Sequence, residues 1–479
     1  MSNIKRKLDK VFQIYTQSGV NNRLIFIRDV AILLFLKSME DYPPSYLSNM
    51  GIGQTIWDDH KNWRLSSLLH FDQDTVKKVF YDEIIPFFYE NLKEYGFDIL
   101  TFGFKNELLS SANFYIILGE IEDIFVKELD GESINESNLV IYDDIFENLL
   151  DYLPRGLNAC NFAPKHLRRL LCELIQVKYT DRVYDQNMGS GRLLIEAYHC
   201  MAVSDAPKYR IDVDDDGFEY TPKNNDNMTT DYFRKNLVLE GNEQGQMLKW
   251  LCFLNFYFHR INLLQAQFSK DDNLETLESN KYDKVFCVHP QNGYYENLNA
   301  VMECLKYRGK AAVVIPQLFL YGDSRKIKKI REMLVTRFIV DGVITLPKYE
   351  FYPFSLLPSA ILIFRLADEE NFNRSDIWLC NLKNDGYSND KKRARTSDTP
   401  LPVLLDAFRA RSEFDNEWFE SKNISLQDVL NNENSLFVDE YIDNENETDI
   451  VIDPHEIMKS LDELQEKLKN GIDELKNYI

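Results

Sequence analysis

From residue 151 to about 366 the chain alternates short apolar runs with helical patterns, and this alternation most constrains its fold. The runs are "RVYD" (182 to 185), "LVLEG" (237 to 241), "DKVFCV" (283 to 288), "KAAVVIP" (310 to 316), "FIVDGVITL" (338 to 346) and "SAILIFRL" (359 to 366). Strands that are apolar on both faces must be covered on both faces. Interleaved helices do this in an α/β protein with a mostly parallel sheet, the class this region predicts. Between the first two runs, "SDAPKYRIDVDDDGFEYTPKNNDN" is polar and turn-rich and reads as a surface insertion. Its "DVDDDG" resembles part of a calcium loop, but no Glu stands at the twelfth position and the Asp spacing is wrong.

Residues 1–150 read as a helical domain. "NRLIFIRDVAILLFLKSM" is apolar too continuously for a surface helix and predicts a buried one. "YDEIIPFFYENL" and "NFYIILGEIEDIF" have the same helical character, and no glycine-rich loop or paired catalytic motif stands out there. The α/β domain at 151–366 is followed by a mixed extension, 367–454, and a terminal helix, 455–479. In that helix Ile457, Leu461, Leu464, Leu468 and Leu475 form an a/d seam interrupted near Gly471. Such a seam pairs with a partner helix or docks on its own protein.

With 479 residues, the chain is too long for one compact core. Its net charge of −22 argues against gripping nucleic acid through the overall field. Local basic clusters remain: "SRKIKKIR" (Arg325, Lys326, Lys328, Lys329, Arg331) and "KKRAR" (391 to 395). The first also reads as the solvated face of a helix. No run of about 18 apolar residues suits a membrane span, and "MSNIKRKLDKVFQIY" lacks a signal peptide's apolar core. Seven cysteines without a C-x-x-C pair argue against zinc and against a disulfide framework. The expectation is therefore no metal, and a reduced cytoplasmic setting.

The chemistry concentrates at strand ends. In "VYDQNMGSGRLLIEAYHCM", Asp185 ends a strand, Gly189-Ser190-Gly191 follow, and a helix begins. Glycines let backbone N–H groups approach a ligand closely, and a helix N-terminus favours an anionic group. After the next strand comes Glu243, a carboxylate placed to hold ribose hydroxyls. Together these suggest a bound nucleoside, S-adenosylmethionine (SAM) fitting as well as NAD.

The same residues carry a resemblance along nearly the whole chain. "VAILLFLKSMEDY", "IYDDIFENLL", "NACNFAPKHLRRLL", "YDQNMGSGRLLIEA", "GNEQGQMLKWLCFLNFYFH", "CLKYRGKAAVVIPQLFLYGDSRKIKKIREMLV" and "SLFVDEYI" resemble the modification (M) subunit of type I restriction–modification systems. That family comprises SAM-dependent N6-adenine DNA methyltransferases. The resemblance implies an N-terminal helical bundle, a Rossmann-like methyltransferase domain and a C-terminal helical tail. It implies SAM as cofactor, held by Phe162, Pro164, Asp185, Gly189, Ser190, Gly191, Glu243 and Asp272, with Asp271 nearly as well spaced as Asp272.

Several positions depart from the family's pattern. Its catalytic loop reads Asn-Pro-Pro-Phe or Tyr, and here the four positions are His289, Pro290, Gln291 and Asn292. The target adenine must leave the duplex. The family's Asn and a Pro carbonyl then orient its amine, while the aromatic ring stacks on the base, worth about 1–3 kcal/mol. A neutral imidazole offers one acceptor nitrogen, and no ring stands at 292; Tyr294 and Tyr295 lie further along. Gln186 replaces the Pro after Asp185, Arg192 replaces a small residue, and Ala163 replaces a Thr.

The expectation is a catalytically impaired M-like subunit in DNA modification or anti-phage defence. Its implied partners are a DNA-specificity subunit or another M-like chain, with a restriction subunit and double-stranded DNA in the complex. The alternatives are an active site-specific N6-adenine DNA methyltransferase, and a SAM- or nucleotide-sensing binding protein.

Overall fold

The computed structural model describes residues 3–42, 60–91, 108–128, 141–153, 163–205, 211–221, 238–261, 266–268, 279–288, 295–352, 355–367 and 376–442. The chain forms two compact units, Met1–Val438 and Asp439–Ile479. The heptad positions Ile457 to Leu475 lie outside the described residues.

The first unit opens with helices α1 (Asn3–Gln17) and α2 (Arg23–Asp41). Every residue of α2 from Phe26 to Met39 is buried, as its unbroken apolar run predicts. Burial extends to Asp29, whose carboxylate accepts hydrogen bonds from Tyr15 Oη (3.0 Å), Tyr81 Oη (2.6 Å) and the Arg28 guanidinium (2.6 Å). A carboxylate buried this deeply is tolerable because donors surround it. "YDEIIPFFYENL" is helical but broken in register. A π-type turn, Val79–Ile84, leads into Ile85–Asn91, which contains Pro86, a residue without an N–H to donate back along the helix. Helices α3 (Ser111–Glu128) and α4 (Ile141–Leu150) complete the region.

The rest of this unit is built on one ten-stranded sheet. Along the chain run α5 (Lys165–Ile175), β1 (Arg182–Asp185), α6 (Arg192–Asp205), a small hairpin of β2 (Asp212–Val213) and β3 (Glu219–Tyr220), and β4 (Val238–Gly241). Then come α7 (Gln246–Phe258), β5 (Ala266–Phe268), β6 (Tyr282–Val288), α8 (Tyr295–Cys304), β7 (Leu305–Pro316), α9 (Arg325–Arg337), β8 (Phe338–Thr345) and β9 (Ser359–Leu366). β10 (Ile377–Leu382), α10 (Pro400–Ala410), β11 (Phe414–Asp415), β12 (Phe419–Ile424) and α11 (Leu426–Asn431) follow.

The strand order is β11-β12-β10-β8-β9-β7-β6-β1-β4-β5, with β9 and β12 antiparallel to their neighbours. β8 is buried at every position and β9 at its first six, which matches their mostly apolar sequences. The sheet continues past residue 366, taking in β10 from "IWLCNL" and β12 from "FESKNI".

Two features position a site. β1 pairs with β4 on one side and β6 on the other, so the chain winds in opposite directions from this point. A crevice opens there beyond the carboxyl ends of the strands. Second, α4 packs on α7 through Phe146 and Phe258, ring centroids 4.8 Å apart, which brings the helical region to the crevice. Ser38 Oγ and Tyr257 Oη, 3.0 Å apart, strengthen the same junction.

The secondary sequence features resolve as structure. In the β2–β3 hairpin, Asp214 accepts from the N–H groups of Asp216 and Phe218, and Asp216 pairs with Arg395 (3.0 Å) and Tyr387 (3.1 Å). Those carboxylates serve a turn and an ion pair. On α9, Arg331 is buried and donates to the carbonyls of Phe319 and Gly322, Lys326 pairs with Glu296 and Lys328 with Glu433. Among the described residues no helix is long and apolar enough to cross a membrane.

Candidate active site

The loop after β1 is fixed by the strands beside it. Gln186 N–H donates to Phe286 O (2.9 Å) on β6, Met188 N–H to Asn242 O (3.1 Å) after β4, and Asn242 N–H to Asp185 O (3.0 Å). Gly189 and Gly191 take positive φ, +54° and +78°. At Gly191 a Cβ would lie 2.5 Å from Cys252 Sγ, so close approach of α7 as well as backbone angle requires glycine. Helix α6 starts at the next residue, and Asn255 Nδ2 holds Ser190 O at 2.9 Å.

Around this loop lies a narrow cleft, lined by Ala163, Arg168, Asp185, Asn187, Met188, Ser190, Arg192, Leu193 and Val288. It holds the end of β1, the glycine loop, the start of α6, the last residue of β6 and the approach to α5. Its acidic side is buried. Asp185 accepts from Asn187 N–H (3.1 Å), and burial pushes its carboxyl up to about 7, with the Glu243 charge adding to the effect. Glu243 accepts from Gly245 N–H (2.7 Å) and from Gly189; burial nevertheless raises its pKa above the usual carboxylate range. Two buried carboxylates beside the glycine loop are suited to accepting hydrogen bonds from sugar hydroxyls or an amine.

Of the residues named from sequence, Asp185 and Ser190 line the cleft, and Gly189, Gly191 and Glu243 shape its floor. Pro164 sits at the N-cap of α5, next to Ala163, whose carbonyl accepts from Arg168 Nη1 (2.9 Å). Phe162, Asp271, Asp272, His289, Pro290, Gln291, Asn292 and Tyr294 lie outside the described residues. Val288, immediately before the His-Pro-Gln-Asn segment, lines the cleft, and Tyr295 opens α8 with Lys326 Nζ 4.4 Å from its ring centroid.

Two positions where the sequence departs from the family now have contacts. Gln186 accepts from Tyr184 Oη (2.9 Å) and donates to Asn297 Oδ1 (3.3 Å), linking the glycine loop to α8. Arg192 turns onto α4, where it meets Glu147 and Asp151. The glycine pattern is local in sequence; Glu147, 45 residues before Arg192, carries no motif that signals its place here.

A second cluster lies further along the same sheet edge. His166 Nε2 is 2.9 Å from Glu350 and 3.4 Å from Asp385, and Arg393 bonds both carboxylates. Three of these groups have the chemistry and spacing of metal ligands, their ligand atoms lying within 4.8 Å of one another. Burial would lower the imidazole pKa, yet the two carboxylates outweigh it and hold His166 protonated up to about 9. Two cations and two anions already balance, so the cluster reads as a closed ion network.

Comparison with known proteins agrees with this architecture. The profile of the N-6 DNA methylase family matches residues 140–300 and 275–450. A type I restriction enzyme methylase subunit (MjaVIII) from Methanocaldococcus jannaschii is 23% identical over 387 residues, 72% of this chain and 60% of that protein. The chain therefore spans 60% of the length of that curated relative. Among solved structures, a chain from a study of assembly and conformational transition in the type I R-M system superposes with a TM-score of 0.65 at 16% identity. It covers 99% of this chain and 98% of that one. The type I methyltransferase subunit from Streptococcus thermophilus gives 0.64 at 16% identity, covering 92% and 99%. At that identity the likeness is one of fold.

Proposed function

Because this chain belongs to the N-6 DNA methylase family, we propose that it serves a DNA modification or anti-phage system as an M-like subunit impaired in methyl transfer. One observation carries the reading. The cofactor side of the crevice keeps the residue types the chemistry needs, whereas the loop entered from Val288 reads His289-Pro290-Gln291-Asn292. Asp185, Gly189, Ser190, Gly191 and Glu243 would hold SAM, together with Phe162, Pro164 and Asp272. The buried acids, the two left-handed glycines and the arginines at the cleft fit an adenosyl group bearing an amino acid. SAM supplies the methyl group when bound.

The impairment follows from residue chemistry at the other end. Amino-methyl transfer needs an acceptor pair that orients the adenine amine and a ring that holds the flipped base. His289 supplies at most one acceptor, Gln291 replaces the second Pro, and Asn292 has no stacking face. Such a subunit would be retained for assembly with a DNA-specificity subunit or a second M-like chain, through which it meets double-stranded DNA.

The test is transfer of a labelled methyl group to DNA by the chain reconstituted with its specificity subunit, alongside calorimetric titration with SAM. Binding without transfer is the expected result. Transfer that disappears in His289→Ala would overturn the impairment and establish the second reading, an active N6-adenine DNA methyltransferase. The well-formed glycine loop is what favours that second reading.

A further inference from the structure

Arg168 and Arg192 both reach the cleft, and both side chains are more than nine-tenths buried. A single carboxylate from the helical region is shared between them. One oxygen of Glu147 accepts from Arg168 Nη2 at 2.7 Å, and the other accepts from Arg192 Nε at 3.2 Å. Arg192 Nη2 also donates to the Glu147 carbonyl (2.7 Å) and to Asp151 (3.0 Å). Buried Arg168 Nε has no partner among the described residues, so this guanidinium has donor capacity left over. Planar guanidiniums that converge on the two oxygens of one carboxylate form a carboxylate-recognition site.

We propose that Arg168 and Arg192 form a ligand-carboxylate site for which Glu147 competes. The amino-acid carboxylate of an adenosyl ligand takes Glu147's place and releases α4 from the start of α6. The inference rests on the SAM reading of the cleft given above.

Three observations support it. Asp185 and Glu243, beside the glycine loop, offer a carboxylate no cation, which leaves the arginine side as its destination. Glu147's side chain remains 37% exposed, so it can leave without crossing a packed core. Burial would raise the Glu147 pKa, but Arg192 and Arg168 pull it down to about 2, so the resident group is charged like the ligand group that replaces it. The exchange trades one pair of charge-assisted hydrogen bonds for another. It therefore costs less than opening two buried arginines to solvent.

The experiment compares S-adenosylhomocysteine, which carries the carboxylate, with 5′-methylthioadenosine, which lacks it, by calorimetry on the full chain and its Glu147→Gln variant. The variant is expected to bind the first about tenfold more tightly and the second within about twofold, a difference near 1.4 kcal/mol. Amide exchange of residues 141–153 is expected to rise when the carboxylate-bearing ligand is added, and to stay level with the other. Arg192→Gln gives an independent reading, since it should abolish the preference for the carboxylate-bearing ligand. Binding of both nucleosides with a preference that neither substitution alters would overturn the inference alone. A folded chain that binds neither nucleoside would overturn the SAM reading and the inference with it.

Discussion

His166, at the second position of α5, contacts Glu350 in the turn after β8 at 2.9 Å, and this pair ties the approach to the cleft to a loop far along the sheet. The two carboxylates raise the imidazole pKa from 6.5 to about 9 in the fold. The charged form therefore stabilises the native state. Its contribution is complete below pH 6.5 and is lost as pH rises through 9. The shift corresponds to about 3 kcal/mol, shared across a four-group network. Denaturant unfolding should show stability falling between pH 6.5 and 9.5, and His166→Gln should flatten that fall. An unchanged slope in the variant would assign the effect to another group.

Asp185 has the same sign of linkage in a lower pH window. Its folded pKa of about 7 lies above the unfolded value, so the native state binds more protons and the group's contribution to stability declines from about pH 4 to pH 7. Asp185→Asn keeps an acceptor for Asn187 N–H and removes the buried charge. At pH 8 it should stabilise the empty protein by about 1–3 kcal/mol while weakening nucleoside binding at least tenfold. Thermal unfolding and calorimetry on the same variant check both halves. A destabilised variant would contradict the burial argument.

Much of this was legible in sequence because it is local. "RVYD" followed by Gly189-Ser190-Gly191 specifies strand, turn and helix within a dozen residues, and "SAILIFRL" is β9 end to end. β12 was not, because "FESKNI" has no continuous apolar run and is a strand through its pairing with β10. The Arg192–Glu147 contact and the His166–Glu350–Asp385–Arg393 network join residues far apart in the chain, and no spacing rule reports such contacts. "SRKIKKIR" contained more than its charge conveyed. Ile327, Ile330, Arg331 and Leu334 share one buried helical face, so one of its cations points into the core.

That face gives a prediction for Arg331, which is 1% exposed and donates to two backbone carbonyls at 3.0 and 2.9 Å. Arg331→Ala should cost about 2–4 kcal/mol by stranding those carbonyls and opening a cavity. Lys329→Ala, at an exposed position on the same helix, should stay within about 0.5 kcal/mol. Equal losses in the two variants, read by urea denaturation, would mean the helix is oriented differently.

The glycine loop allows a sharper test through two residues. Gly191 at φ +78° places a would-be Cβ 2.5 Å from Cys252 Sγ, so Gly191→Ala meets two separate penalties. The left-handed backbone costs about 1–2 kcal/mol, and the collision with α7 about 1–3 kcal/mol more. Cys252→Gly removes the sulfur and the Cβ behind it but leaves the backbone angle unchanged. In a double-mutant cycle Gly191→Ala should therefore be less damaging in the Cys252→Gly background, by roughly the collision cost and no more. The backbone share should persist in both backgrounds. A cycle with no coupling would place α7 further from the loop, and the narrow cleft floor would then have a different origin.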